Sequence, residues 1–232
     1  MALHWSGGKD SAHALGRLLA DARYEVRCLV TTIDATREES SVHGLPTHLL
    51  RAQADAAGLP LLTVALSGPG LDDYVEVMNT ATRELHRDGI RAFAFGDLEH
   101  SGALAYREDQ FTPHGVEMVE PLWGMTSDQC MAEYLGSGIQ SITVVVDASL
   151  LGRDHLGVPV DEAFIDALPA NCDPCGETGE YHTFVWNAPY FRSPVGFTTG
   201  RTEYLEHRIG TQDGVKEFTY WRMHLHRETH PS

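Results

Sequence analysis

Three short stretches of this 232-residue chain concentrate side chains that could do chemistry. The first is Trp5-Ser-Gly-Gly-Lys-Asp-Ser-Ala12. Two successive glycines permit backbone angles that side chains forbid, and consecutive N–H groups can then converge on an anion. A helix starting directly afterwards adds the positive end of its dipole. Ser6 and Ser11 supply hydroxyl donors and Lys9 a point charge for phosphate. Asp10 would repel a phosphate, but suits the magnesium that accompanies a nucleotide. Lys9 and Lys216 are the only lysines, so the loop lysine is no accident of composition. The spacing is neither that of the Walker loop nor Gly-x-Gly-x-x-Gly. It predicts a phosphate cradle for a nucleotide built from Ser6, Gly7, Gly8, Lys9, Asp10 and Ser11.

The second stretch, Cys172 to Val185, gathers Glu177, Glu180, His182, two cysteines and two glycines in a turn that enters a strand. The spacing of Cys172 and Cys175 is that of half a zinc site or of a redox pair, and no second pair completes a zinc tetrahedron. A packing role is the simpler expectation for them. The third stretch is Gly96-Asp97, which ends the apolar run Ile90 to Phe95.

To bring these stretches together the chain needs a scaffold, and its first half alternates apolar runs with helical patterns. Ala2–Trp5, Val26–Ile33, Leu61–Leu66 and Ile90–Phe95 read as strands. Helices are expected over Ser11–Ala22, Thr47–Ala57 and Leu71–Asp88, with Gly89 as a stop. Buried strands separated by helices require both sheet faces to be covered, which predicts an α/β fold with a doubly wound, mainly parallel sheet. Asp97 then stands at the carboxyl edge of the sheet, where such folds bind ligands, and is expected with Asp10 to hold magnesium. Gly96, His43 and the strand-end residues Thr31, Thr32 and Asp34 are expected beside the nucleotide, the last three by fold analogy alone. After Val119 the pattern changes to a loop at Pro121–Gly124, a helix over Ser127–Leu135, a strand over Ile139–Asp147 and alternating segments such as Phe218–His226. The expected division is a nucleotide-binding domain, 1–118, and a smaller α+β substrate-binding domain, 119–232, with a cleft between them.

Composition narrows the classes. With 22% charged and 42% hydrophobic residues the chain reads as globular. Lys plus Arg total 17 against 33 Asp plus Glu, a net charge of -16, which disfavours nucleic acid as a partner. No run of 18 apolar residues is present, and the N-terminus meets glycines and charges too early for a signal peptide, so the cytoplasm is the expected compartment. The tail histidines His224, His226 and His230 lack ligand spacing and are expected at the surface.

The run Ser6 to Ser11 resembles the PP-loop of the N-type ATP pyrophosphatases, a HUP-like group related to the adenine nucleotide alpha hydrolases. Gly176-Glu-Thr-Gly-Glu-Tyr-His-Thr-Phe184 is similar to the second-domain motif of the diphthine-ammonia ligase family. Val42-His-Gly44, Gln53-Ala-Asp-Ala-Ala-Gly-Leu-Pro-Leu61, Gly96-Asp-Leu98 and Glu120-Pro-Leu-Trp-Gly124 match in family order. The sequences Gly96-Asp-Leu-Glu-His100, Ala105-Tyr-Arg-Glu108 and Glu177-Thr-Gly-Glu180 depart from the eukaryotic and archaeal pattern and look more like the bacterial branch. The resemblance therefore carries the reaction type further than the acceptor. It implies an ATP-dependent, AMP-forming amide ligase that adenylates a substrate carboxylate, on a protein or a small molecule, and hands it ammonia or an amine. Lys9, Asp10, Glu177 and Glu180 would be its catalytic residues, the glutamates binding the acceptor or deprotonating ammonium. The bland alternative is that both glutamates cap N–H groups of their own turn. Two other functions stay open: a tRNA-thiolating PP-loop enzyme using Cys172 and Cys175, and a regulatory module that binds ATP or AMP without turnover. A homodimer is compatible with all three.

Overall fold

A computed structural model describes residues 1–41, 43–67, 73–98, 107, 111–211 and 214–228. Val42, the expected helix start at Leu71 and His230 lie outside these residues. β1 (Ala2–His4) runs through the glycine loop into α1 (Lys9–Ala20). There follow β2 (Cys28–Asp34), the two-residue β3 (Glu39–Ser40), α2 (Thr47–Ala57), β4 (Leu61–Leu66), α3 (Tyr74–Arg87), β5 (Ala92–Ala94) and β6 (Glu117–Val119).

Five of these strands pair in parallel, in the order β4-β2-β1-β5-β6. The chain winds outward from β1 to β4, then crosses back to β5, so the strand order reverses between β1 and β5. That reversal opens a crevice at their carboxyl ends. Because β4 follows β2 from Leu29 to Asp34 along one edge, β3, antiparallel to Ile33 and Asp34, must lie on the other, just beyond the end of β1. Alternation feeds both faces: Leu3 and Leu29 pack with Leu15 of α1 and Leu49 of α2, whereas Ala2 and Val30 pack with Met78 and Leu85 of α3. The expected doubly wound α/β sheet is therefore present. α1 starts two residues earlier than the apolar pattern suggested, because its first turn is polar and its cap, Gly8, has no side chain.

α4 (Ser127–Gly136) starts with a capping box between Thr126 and Gln129. β7 (Gln140–Asp147), α5 (Glu162–Ala167), β8 (Tyr181–Asn187), β9 (Phe197–Thr211) and β10 (Gly214–Arg227) follow, the strands forming an antiparallel sheet in the order β8-β7-β10-β9. A boundary after residue 118 would cut β6, whose Val119 still pairs with Ala94. β8 is an edge strand, and the glycine loop covers its open edge: Val185 N donates to Gly7 O at 2.9 Å and Lys9 N to Thr183 Oγ1 at 2.9 Å. A single apolar core runs from Leu15 and Leu18 through Met131 and Tyr134 to Val144 and Val185, joining the two lobes. No helix among the described residues is long and apolar enough to cross a membrane.

Candidate active site

Geometry requires a glycine at the first of the two loop positions. Gly7 has φ +82°, and a Cβ there would stand 2.6 Å from Leu50 Cδ2 and 2.9 Å from Gln53 Oε1. Below it, fully buried Gln53 donates from Nε2 to Gly7 O at 3.0 Å and Val185 O at 2.6 Å, and accepts from the Trp5 indole at 2.9 Å. One amide side chain thus ties β1, the loop and the second lobe together. Ser6 Oγ accepts from Gly8 N at 3.2 Å, and Ser11 Oγ donates to Gly8 O at 3.0 Å. The N–H groups of Asp10 and Ser11, at the start of α1, have no acceptor among the described residues. Gly96 presses on this helix start: a Cβ there would stand 2.7 Å from Asp10 O and 3.0 Å from Ser11 N.

Above the helix start lies a cavity of about 300 Å³ between the lobes. Of the residues expected at the nucleotide, Ser6, Lys9, Asp10, Ser11, Thr31, Thr32, His43, Gly96 and Asp97 line it, joined from the second lobe by Gly176, Glu177, Tyr181 and His182. Gly7 and Gly8 support it from below.

Lys9, 3% exposed, sends Nζ to Asp10 Oδ1 and to the Cys175 carbonyl, both at 2.5 Å. Burial opposes its charge, but Asp10, Tyr181 and Cys175 hold the pKa well above the ordinary lysine value, so the ammonium persists. The cation therefore bridges the glycine loop and the Cys172–Glu180 turn. Burial, helped by Asp10, pushes Glu177 up to about 7, which poises it between acid and base at neutral pH. Burial lowers His182 to about 4, and burial with His182 and Lys9 holds His43 well below 6.5. The two rings stack at 4.5 Å, both neutral. Nδ1 of His43 and Nε2 of His4 are buried without a partner among the described residues, and both histidines line the cavity. Asp97 forms an ion pair with Arg107, whose guanidinium lies 3.9 Å from the centre of the Phe95 ring.

These groups fit Mg-ATP. The unpaired amides and Lys9 suit phosphate, and the orphaned imidazole nitrogens and the Thr32 and Ser41 hydroxyls, 2.6 Å apart, suit base or sugar. Asp10 keeps one carboxylate oxygen outside its Lys9 contact, at 34% side-chain exposure, and can take magnesium. Asp97 meets Arg107 through Oδ2, so Oδ1 is the oxygen it could offer beside Asp10.

Two residues expected at the site, Glu180 and Asp34, lie elsewhere. Glu180, 2% exposed, turns into its own loop: Oε1 accepts from Asp173 N at 3.0 Å and from the Thr178 hydroxyl, and Oε2 from Thr178 N at 3.0 Å. It shapes the turn that presents Glu177. Asp34 accepts from Thr36 N at 2.8 Å and Oγ1 at 2.6 Å and does not line the cavity. Cys175 is buried, its thiol donating to Ser127 O at 3.2 Å, while Cys172 is half-buried; both are free thiols. Of the histidines expected at the surface, His226 is exposed, while His224 is half-buried and pairs with Glu203 at 3.0 Å. Sequence reasoning gave no role to Gln53, Arg107, Ser40 or His4. Gln53 and Arg107 left a trace, as members of the stretches Gln53–Leu61 and Ala105–Glu108 compared with the family.

Residues 1–108 match the family model described as diphthamide synthase N-terminal domain, and residues 127–213 match its C-terminal domain. The diphthine–ammonia ligase of Bos taurus is 23% identical over 97% of this chain and 92% of its own length. That of Homo sapiens is 24% identical over 95% and 90%, and that of Schizosaccharomyces pombe 25% over 88% and 37%. With both domain models matched in order across the two lobes that enclose the cavity, the chain belongs to the diphthamide synthase family.

Proposed function

We propose that the cavity is the active site of an ATP-dependent, AMP-forming carbon–nitrogen ligase that amidates a carboxylate with ammonia. The observation that carries this reading is the junction itself: open helix-start amides and a buried ammonium on one wall, and a carboxylate poised near pH 7 on the other. The amides of Asp10 and Ser11, with Lys9, neutralise charge developing on departing pyrophosphate. Asp10 would hold magnesium, which would offset phosphate charge. The acceptor carboxylate attacks the α-phosphorus, forming a C–O–P bond as the bond to pyrophosphate breaks. Glu177 takes a proton from ammonium or from attacking ammonia, whose nitrogen displaces AMP from the acyl carbon. The relatives' names point to diphthine on a protein as the acceptor.

The test uses 15N-ammonium, Mg-ATP and either a diphthine-bearing protein or cell extract. Enzyme- and ATP-dependent 15N in an amide is expected. AMP formation without 15N incorporation would contradict amidation and favour transfer to another nucleophile.

A further inference from the structure

The match to the family's C-terminal domain ends at residue 213, before β10 begins. We infer that Arg222 of β10 is a positioning residue that latches residues 39–41 and 43–45 over the nucleotide. The inference rests on reading the cavity as an ATP site. Arg222 grips Glu39 with both ends of its fork, Nη1 to Oε2 at 3.0 Å and Nη2 to Oε1 at 3.4 Å. Its Nε meets Glu203 Oε1 at 2.9 Å. Guanidinium and Glu39 side chain are only 12% and 17% exposed, so water screens the pair weakly. The fork also comes close to the backbone at Gly44. Gly44 has φ +61°, and a Cβ there would stand 2.3 Å from Arg222 Nη1.

What the latch holds is a cavity wall: Ser40, Ser41 and His43 line the site. On its inner side the segment is tied to β2 by Ser41 N to Thr32 O at 3.1 Å, and to β8 by the His43–His182 stack. On its outer side Arg222 holds it. Without the guanidinium, Glu39 and Glu203 would be left facing each other, and their repulsion would push the wall outward.

The test is calorimetric titration of the whole protein with Mg-ATP, alongside thermal unfolding without nucleotide, for wild type, Arg222→Gln, Arg222→Lys and Glu39→Gln. Binding weakened at least tenfold in Arg222→Gln and Glu39→Gln is expected, with partial recovery in Arg222→Lys. In AMP formation the KM for ATP should rise while kcat at saturating ATP stays within threefold. A lowered melting temperature with undiminished ATP affinity in both variants overturns the latch alone. If the wild type binds no Mg-ATP, the latch falls together with the ATP-site reading.

Discussion

Gln53→Met isolates the hub beneath the glycine loop. Methionine matches glutamine in length and lack of branching, so the loss is hydrogen bonding more than volume. The Trp5 indole N–H is left without its acceptor in a fully buried setting, costing about 1–3 kcal/mol. Gly7 O keeps its bond from Val185 N, while Val185 O loses its 2.6 Å partner; together these carbonyls cost about 1–2 kcal/mol. The sum, about 2–5 kcal/mol, is a large share of the roughly 5–15 kcal/mol that holds a typical domain. Urea unfolding should show the midpoint falling with m unchanged, and Mg-ATP affinity should fall as the loop loses its brace. In a double-mutant cycle, Trp5→Phe with Gln53→Met should cost less than the sum of the single changes by about 1 kcal/mol, because either change alone orphans the other partner. Strict additivity, or Gln53→Met within 0.5 kcal/mol of wild type with normal ATP binding, would refute the hub; that threshold is about the effect of an ordinary surface change.

Gly96→Ala should cost about 1–3 kcal/mol, since its Cβ meets backbone atoms of Asp10 that cannot swing aside, and turnover should fall about 100-fold as the helix start shifts; near-normal AMP formation would contradict the close approach. Glu177→Gln should change stability with a defined sign. Burial raises its folded pKa from 4.5 to about 7, so ionising it in the folded state costs stability that is lost as pH rises through that window. The gap sets a ceiling of about 3 kcal/mol, which solvent screening of this half-buried group reduces to about 1 kcal/mol. The variant should therefore melt about 2–4 °C higher than wild type at pH 8 and equally at pH 4.5. The same melting offset at both pH values would show that Glu177 is not the titrating group. In turnover, wild type should gain activity through an inflection near pH 7 that the variant lacks.

The glycine loop was legible because it is local: six consecutive residues between a strand and a helix dictate it. The parallel sheet was legible from apolar runs separated by helices, and the ends of α2 and β4 fell where the pattern placed them. What escaped depends on distant pairing. Gln53 acts through Val185, 132 residues away, and Arg222 through Glu39, 183 residues away, and no periodicity encodes either contact. β3 has two residues, too few to show alternation, yet it places Ser40 and His43 over the site. Glu177 and Glu180 look alike in the motif. They part because the turn, with Gly176 at φ +70° and Gly179 at +95°, faces one to the cavity and the other to Thr178 and Asp173.

The most direct test of the central claim is which bond of ATP breaks. Wild type and Lys9→Ala are incubated with Mg-ATP, ammonium and extract, and AMP plus pyrophosphate are separated from ADP plus phosphate. Extract-dependent AMP and pyrophosphate, abolished in a folded Lys9→Ala protein, is the predicted result. ADP and phosphate, or ATP left intact with every acceptor fraction, would contradict an adenylating site at this junction.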